Sequence, residues 1–341
     1  MSEGRFGVQP HLDRLYEGQA RRFALTATSE NELLVWRREF RAELLGLLGL
    51  AGREVPEASY EMVHSEPREG YTEEKYAVDS GEGVATPAYV LVPEGPGPFK
   101  PVMVFHGHNP SVQPVIGNFG SDEERRDRLS VDGNYAQALA QAGYLVCAVE
   151  QRGFGERHSA LRKADGGRNS CRHMAFFYQL LGRTLIGERC WDGMRAIDMV
   201  LERTDVDKGA LGCTGNSGGG TTTLWLSAIE ERITCSIPSC YFCSFRASIL
   251  GVPHCECNYV PGILKLAEMG EIGALIAPRP LRVIAGEKDN IFPVQAVREQ
   301  FETVKRGYSL AGAADTCDLA VHDGPHAYKH AFAKEWFDRW L

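Results

Sequence analysis

Gly215-Asn216-Ser217-Gly218-Gly219 is the most informative stretch of this sequence. The apolar run Leu211–Cys213 precedes it, and a helical pattern begins at Thr221. Together they predict a strand that turns sharply into a helix, with glycines wherever a side chain would collide with the neighbouring strand or helix. A serine at such a turn is typical of a nucleophile. A Gly-rich turn with an incidental serine and a phosphate-binding loop remain alternatives, although no lysine follows the glycines.

Short, almost entirely apolar runs lie on both sides of this turn along the chain. They cover 102–105, 144–149, 211–213, 233–237 and 281–285, and a final strand is expected near 317–321. Helical patterns alternate with them at 135–142, 187–203, 221–229, 294–305 and 329–341. Apolar strands that alternate with helices predict an α/β fold with a doubly wound, mostly parallel sheet.

Two helical segments precede the sheet. We expect the first over His11–Leu25, and the second from a capping box at Ser29–Glu32 to Leu50, stopped by Gly52. Strand patterns follow at 61–64, 76–78 and 88–92. We therefore divide the chain into an N-terminal helical extension, 1–55, and a catalytic domain, 56–341. The extension could act as a cap, a brace or a dimer surface.

The bulk composition excludes several classes of partner. The chain has 341 residues, of which 43% are hydrophobic, enough for one large α/β domain with additions. Its net charge of −8 offers no electrostatic footprint for nucleic acid or an anionic membrane. No apolar run follows Met1–Arg5 that would indicate a signal peptide, so we expect a cytoplasmic protein without a membrane partner. A homo-oligomer remains open.

An acidic partner for the nucleophile is expected after the strand Leu281–Ala285. Asp289 lies in the loop at the carboxyl end of that strand, where catalytic groups gather in parallel sheets. It also comes after the serine and before a histidine, an order that serine nucleophiles on such turns use. Glu287 is the competing carboxylate. Asp289 would orient the histidine and stabilise its charged form.

The base is expected in the loop after the final strand. His326 lies between that strand and the last helix, where it could accept the proton of Ser217 and return it to a leaving group. His322 is expected in the strand and His330 in the helix, so each is interpreted as a packing or surface histidine.

A second loop supplies candidates for stabilising an oxyanion. Phe105–Asn109 ends an apolar strand, and one stabilising amide is expected there with the other just after the nucleophile. We therefore nominate the backbone N–H groups of His108 and Gly218. His106 is expected to tie the loop by a hydrogen bond. A metal-binding His pair is the alternative, but no carboxylate lies at a suitable spacing.

Several motifs together resemble a known group. Trp191–Asp198, Gly215–Thr221, Ala277–Leu281 and the Arg-Gly loop Gln151–Arg157 are similar to those of acetyl xylan esterase-like and dienelactone hydrolase-like α/β-hydrolases. The resemblance extends over about 84–326 and implies the α/β-hydrolase fold.

The resemblance also implies a reaction. It is the hydrolysis of a small carboxylic ester through an acyl-enzyme, with a sugar acetate as one candidate substrate and no cofactor. A carbon–carbon bond hydrolase with the same triad, a peptidase and a non-catalytic binding protein are the alternatives. Phe154 and Gly218 stand where sugar deacetylases of the cephalosporin-deacetylase type carry glutamine, so close membership of that subgroup is not implied.

The expected substrate contacts are Arg152 in the Arg-Gly loop and two aromatic residues, Tyr241 and Phe242, that could line an acyl or leaving-group pocket. In a core, these aromatic residues would look the same from sequence. The insertion at about 153–187 carries a basic run, for which we favour a solvated face over contact with an anionic substrate group.

A cysteine-rich loop, about 239–262, follows the strand after the nucleophile helix. It contains Cys240, Cys243, Cys255 and Cys257, with His254 beside them. We interpret these thiols as small buried apolar groups and assign no metal. A zinc site and a disulfide are the alternatives, although the spacing matches no standard zinc finger.

Overall fold

The computed structural model describes residues 6–164 and 166–341. Met1–Arg5, where a signal peptide would begin, lies outside the described residues. The sheet contains strands β1 (Tyr60–Arg68), β2 (Tyr71–Asp79), β3 (Ala85–Pro93), β4 (Pro101–Phe105), β5 (Leu145–Val149), β6 (Gly212–Asn216), β7 (Cys235–Ser239), β8 (Leu281–Gly286) and β9 (Cys317–His322).

The strands form one sheet in the order β1-β2-β3-β5-β4-β6-β7-β8-β9. The pairs among β1, β2, β3 and β5 are antiparallel, whereas all pairs from β5 through β4 to β9 are parallel. The parallel part brings the carboxyl ends of β4, β6, β7, β8 and β9 to the same edge. This confirms the predicted α/β fold with a mostly parallel sheet.

Helices cover both faces of this sheet. They are α1 (Gln9–Glu17), α2 (Glu30–Leu48), α3 (Asp122–Leu129), α4 (Tyr135–Gln141), α5 (Ala160–Ala164), α6 (Cys171–Leu180), α7 (Leu185–Glu202), α8 (Gly218–Ile229), α9 (Ile263–Leu266), α10 (Met269–Ala274), α11 (Val294–Leu310) and α12 (His330–Trp340). One core cluster packs α2, α7, α8 and α11 against the sheet, and another packs α4 and α12. The central strands β4 to β8 are therefore buried on both faces, as their apolar sequences predict, whereas β1 is mostly exposed.

The N-terminal segment packs into the larger of these cores. Phe40, Leu44 and Leu48 of α2 are fully buried there. The first helix ends at Glu17, shorter than the expected helix. The chain then continues as an irregular segment with a turn at 22–23, where Phe23 N–H donates to the Leu266 carbonyl at 2.8 Å. The apolar spacing of this segment also suits a helix, which is why the sequence predicts one.

The second helix begins as predicted but ends earlier. Ser29 caps it by accepting from the Glu32 N–H at 3.3 Å, while the Glu32 carboxylate accepts from Thr28 N–H rather than from the cap residue. Gly49, at φ +76°, ends the helix in place of the expected Gly52, because a left-handed residue directly after Leu48 already satisfies the final carbonyls.

Within the described ranges, 6–164 and 166–341, no helix is both long and apolar enough to cross a membrane.

Candidate active site

Ser217 occupies the turn between β6 and α8. Its backbone has φ +57° and ψ −118°, a conformation that non-glycine residues rarely adopt and that stores strain at functional sites. Its N–H donates to the Ser239 carbonyl at 2.9 Å, and its own carbonyl accepts from Thr221 N–H at 2.8 Å. These bonds hold the strained residue between the neighbouring strand and its own helix.

The glycines around Ser217 are required by close backbone contacts. A Cβ atom on Gly215 would lie 2.5 Å from the Phe105 carbonyl oxygen, and one on Gly219 would overlap the same oxygen. Strand β4 therefore presses against both sides of the turn. The predicted strand–turn–helix is present, and its glycines have the steric cause expected from the sequence.

Asp289 and His326 form a hydrogen-bonded pair at the same edge of the sheet. His326 Nδ1 lies 2.7 Å from Asp289 Oδ2. The other carboxylate oxygen accepts from the N–H groups of Ile291, at 2.9 Å, and Phe292, at 3.1 Å. The Asp289 side chain is 1% exposed and that of His326 is 22% exposed. Backbone N–H groups thus hold the buried Asp289 carboxylate in place, and the His326 imidazole bound to it is partly exposed to solvent.

The pKa of Asp289 reflects this environment. Burial of the carboxyl works to raise its pKa, but the hydrogen bond and charge of His326, together with the two backbone N–H groups, lower it below the ordinary aspartate value. Asp289 therefore remains ionised, as a carboxylate that orients an imidazole must be.

The competing residues lie elsewhere. Glu287 is exposed and pairs with Arg298 Nη2 at 2.7 Å. His322 is buried between the Ala327 carbonyl and the Gly324 N–H, each at 3.1 Å. Both contacts are structural, so the geometry favours Asp289 and His326 as the acid and base.

Ser217 follows β6 and the Asp289–His326 pair follows β8 and β9, so β7 lies between them in the sheet. The Ser239 carbonyl accepts from the Ser217 N–H. The next residue, Cys240, has its Sγ within 4.8 Å of a carboxylate oxygen of Asp289 and a ring nitrogen of His326. No hydrogen bond joins the Ser217 hydroxyl to another residue among 6–164 and 166–341. Catalytic hydrogen bonds are often long without substrate and tighten when it binds.

Two backbone N–H groups beside Ser217 are available to an oxyanion. A Cβ atom on Gly107 would lie 3.4 Å from Ser217 Cβ, and one on Gly218 would lie 2.8 Å from His108 Nδ1. The loop after β4 therefore lies directly over the nucleophile. In the described part of the chain, neither the His108 nor the Gly218 N–H donates a hydrogen bond, which leaves both free for a ligand.

Gln151 connects the oxyanion loop to the nucleophile helix, a role that the sequence did not reveal. Its N–H lies 3.1 Å from His106 Nε2, its side-chain amide donates to the His106 carbonyl, and its side-chain oxygen accepts from Thr222. His106 is fully buried and also lies 3.0 Å from Glu150. His106 thus ties the loop by hydrogen bonds, as expected. The sequence did not indicate which residues would be its partners.

Arg152 does not have the free guanidinium that a substrate contact would need. It is buried and binds Asp192 through Nε at 2.8 Å and Nη2 at 2.9 Å, and Glu188 through Nη1 at 2.8 Å. Arg157, from the basic run of the insertion, binds the same Asp192 and is also buried. These two arginines therefore form internal ion pairs, contrary to the expected substrate contact of Arg152. In the basic run Arg157 is buried, whereas Lys163, Arg168 and Arg172 are exposed, as the expected solvated face predicts.

Tyr241 and Phe242 differ from expectation as well. Both are 1% exposed and belong to the larger core. The Tyr241 hydroxyl accepts from Trp225 Nε1 at 3.0 Å, and Phe242 packs edge-on against Phe301. Their rings stabilise the layer beneath the site and do not line a pocket. Phe292, which stacks on His326 with ring centroids 5.7 Å apart, is an aromatic residue that does touch the site.

Two clefts on the protein do not coincide with the triad. One of about 470 Å³ is lined by residues of β2 and β3 and of the insertion, including Arg152 and Tyr178, and another of about 590 Å³ lies along 117–137. Neither is lined by Ser217, Asp289 or His326. We assign the site from the catalytic geometry rather than from cleft size, because only the former brings a nucleophile, a base and oxyanion donors together.

A sheet of this topology, with a serine turn after β6 and an Asp–His pair after β8 and β9, defines an α/β-hydrolase. A model described as the Abhydrolase family matches residues 14–335, and the chain belongs to this family. This confirms the resemblance to α/β-hydrolases.

Individual relatives are also named as hydrolases or esterases. YtaP of Bacillus subtilis (strain 168), provisionally named a hydrolase, is 28% identical over 317 residues, which cover 89% of this chain and all of YtaP. A Bacteroides fragilis NCTC 9343 structure, provisionally named an acetyl xylan esterase, has a TM-score of 0.78 and 18% identity over 94% of this chain and 84% of its own. A glucuronoyl esterase from Solibacter usitatus has a TM-score of 0.62 and 16% identity. The match covers 88% of this chain and 90% of that protein's chain. At these identities, the two structures show the shared fold.

Proposed function

We propose that this protein is a serine carboxylic ester hydrolase that works through an acyl-enzyme. The observation that carries the proposal is the strained Ser217, placed next to two free backbone N–H groups and across one strand from the His326–Asp289 pair. Ester hydrolysis needs a nucleophile, a base and an oxyanion site within reach of one carbonyl, and this edge of the sheet supplies all three.

The reaction follows from the position of each group. His326 accepts the proton of the Ser217 hydroxyl as its oxygen attacks the ester carbonyl carbon. The N–H groups of His108 and Gly218 stabilise the negative oxygen that forms, and the alcohol leaves with the proton from His326. Water then attacks the acyl-Ser217 ester with His326 again as base. Asp289 holds the imidazole with its outer nitrogen towards the serine throughout.

A small ester on a sugar is the substrate class that we favour. The first structural relative is named for acetyl xylan and the second for glucuronoyl esters, and both names describe esters of carbohydrates. These names guide the choice of substrates to test. The aromatic residues expected to line an acyl pocket are buried in the core, which gives no support for a long acyl chain.

Labelling with a fluorophosphonate, followed by peptide mass mapping, tests the nucleophile. We expect the adduct on Ser217, and we expect Ser217→Ala to lose both the adduct and at least about 10³-fold of the turnover of a short aryl ester. Ser309→Ala, an exposed serine on α11, is the matched control and should label and turn over like the parent.

The acyl series tests the reaction and the substrate class. Acetyl, butyryl and octanoyl aryl esters are compared, followed by acetylated xylo-oligosaccharides and a glucuronate ester. Fastest turnover of the acetyl ester supports a small-ester hydrolase. A labelled Ser217 with no turnover of any ester would contradict the proposal in favour of a carbon–carbon hydrolase. Failure to label Ser217 would contradict it in favour of a non-catalytic binding protein.

A further inference from the structure

Four possible metal ligands come together beside the oxyanion loop from three separate segments. His108 follows β4, Cys171 begins α6, and Cys255 and Cys257 lie on the cysteine-rich loop. One ligand atom from each lies within 4.8 Å of every other. Cys171 and Cys257 are buried, Cys255 is half-buried, and His108 is exposed. We call these four residues the thiol–His108 cluster. The protein encloses its cysteine side, and solvent can reach it from the side of His108.

The four ligand atoms already lie close to one another. Cys257 Sγ lies 3.4 Å from His108 Nε2. In a tetrahedral zinc site, with zinc–sulfur distances of about 2.3 Å and zinc–nitrogen distances of about 2.0 Å, neighbouring ligand atoms are separated by about 3.5 to 3.8 Å. Ligand atoms that lie at most 4.8 Å apart would therefore need only small side-chain movements to reach this tetrahedral geometry.

A buried cation, Arg189, lies beside the cluster. Arg189 is 1% exposed, and its Nη2 donates to Cys171 Sγ at 3.2 Å. Its Nε and Nη2 also donate to the Arg152 carbonyl, and its guanidinium lies over the face of Phe154. In the described part of the chain its Nη1 has no hydrogen-bond partner. Among residues 6–164 and 166–341, no carboxylate forms a salt bridge with Arg189, although a buried guanidinium requires a counter-charge.

We propose that His108, Cys171, Cys255 and Cys257 bind one zinc ion in a Cys₃His site. Three thiolates and a divalent ion leave one net negative charge, which Arg189 would neutralise. Three sulfur ligands and one imidazole are a set that zinc prefers in structural sites. The proposal departs from our expectation of buried apolar thiols, because that expectation could not see His108 and Cys171 as neighbours of the loop.

The grouping differs from the one that the loop sequence suggests. His254, adjacent to Cys255 in sequence, instead lies 2.9 Å from the Ser248 hydroxyl. Cys240 Sγ lies 3.3 Å from the Ala327 carbonyl, and Cys243 Sγ lies 3.8 Å from the Pro293 carbonyl. These three residues therefore contact other parts of the structure, and His254 and Cys243 serve as controls.

The zinc would fix the oxyanion loop. It would hold His108 through Nε2 while the other side of the ring lies against Gly218. The insertion and the cysteine-rich loop would be joined to the same point. This positioning role rests on the proposed function, whereas zinc binding itself does not.

Metal content by mass spectrometry tests the site. We expect about one zinc per chain in protein purified under reducing conditions, and less than about 0.1 in Cys255→Ser/Cys257→Ser. His254→Gln and Cys243→Ser should retain the parent content. Because a double variant could misfold, its circular dichroism is compared with that of the parent. Cobalt substitution of the parent gives a second readout that needs no variant, since thiolate ligation produces charge-transfer bands and strong tetrahedral visible bands.

Three results would overturn the proposal. The first is parent protein without zinc that also binds neither zinc nor cobalt when reduced. The second is unchanged zinc content in a folded Cys255→Ser/Cys257→Ser variant. The third is a disulfide involving Cys171, Cys255 or Cys257 in protein made under reducing conditions. Ser217 labelling is measured on the same samples, so a missing metal and a missing nucleophile are distinguished.

Discussion

Asp289 accepts a hydrogen bond from His326 and two more from the backbone while its side chain is almost completely buried. An amide in its place would keep the shape but would offer an N–H where the carboxylate accepts. The imidazole would then be held in the wrong tautomer for accepting the serine proton.

We therefore expect Asp289→Asn to lower kcat/KM for a short aryl ester by roughly 10³- to 10⁴-fold with little change in KM. Steady-state kinetics on the folded variant measure this loss. Glu287→Gln, which changes a neighbouring exposed carboxylate, should have near-parental kinetics. A loss below about tenfold in the Asp289→Asn variant would show that Asp289 is not the orienting acid.

At the residue scale, the sequence allowed prediction of those candidate-site residues whose positions depend on the order of the strands. Ser217, Asp289 and His326 each come directly after a strand, so their positions depend on local chain geometry alone. Arg152 and Tyr241 were misjudged because their surroundings come from distant segments. The arginine meets two carboxylates of α7, and the tyrosine meets Trp225 of α8.

At the scale of elements, the turn between β6 and α8 is fixed by contact with β4. The Phe105 carbonyl occupies the space that a Cβ on Gly219 would need. A side chain there must either push β4 away or displace the nucleophile helix. Gly46, on the exposed face of α2, has open space around its Cβ position and helical backbone.

These two glycines should respond oppositely to alanine. We expect Gly219→Ala to lower the free energy of unfolding by about 1 to 3 kcal/mol or more and to reduce Ser217 labelling. Gly46→Ala should raise it by up to about 1 kcal/mol, because alanine favours the helix. Urea unfolding curves measure both. Equal stability of the Gly219→Ala variant and the parent would contradict the packing described here.

The elements themselves were predicted where their patterns are strongly periodic or apolar. Strand β6 was expected to end at Cys213 but continues to Asn216, because glycine and polar residues there pair with β4 and β7. Helix α3 was missed since its sequence is almost entirely charged and has no apolar face. Helix α6 was included only within the insertion, where basic residues suggested a solvated loop.

Across the whole molecule, a buried ion-pair network links the insertion to the core. Asp192 on α7 binds Arg152 and Arg157, and Glu188 on the same helix binds Arg152 and Arg183. Burial works to raise the pKa of Asp192, but the charges and hydrogen bonds of the two arginines lower it to about 2. The folded state therefore binds the Asp192 proton less readily than the unfolded chain does.

This network should make the protein sensitive to acid. A folded pKa below the unfolded value means that the stabilisation is present above about pH 4 and is lost as pH falls through about 2. A difference of about 2 pKa units corresponds to roughly 2 to 3 kcal/mol from this carboxyl. We expect the free energy of unfolding, measured by urea titration at several pH values, to fall across this window.

Asp192→Asn separates this contribution from those of other carboxylates. At neutral pH the variant should be less stable by about 3 to 5 kcal/mol, since two buried guanidinium groups lose their shared counter-charge. Its remaining stability should fall less steeply between about pH 4 and 2 than that of the parent. The same steepness in both proteins would exclude Asp192 as a source of the acid sensitivity.

The doubly wound sheet could be predicted because it follows from the alternation of strands and helices. The network and the packing of the N-terminal helices could not, because they depend on which helices lie side by side. Apolar residues of α2 indicated that the helix buries one face, but not that this face meets the same core as α8.

The order of the active-site groups along the chain has a consequence for synthesis. The oxyanion loop and Ser217 precede the acid, and the base comes only after β9, which pairs with β8. Domains begin to fold while the ribosome is still extending the chain. A nascent chain that has already formed its nucleophile turn still lacks His326, so an unfinished or stalled product would carry no active serine. Under the proposed function, ester hydrolysis would therefore report completed synthesis of the sheet.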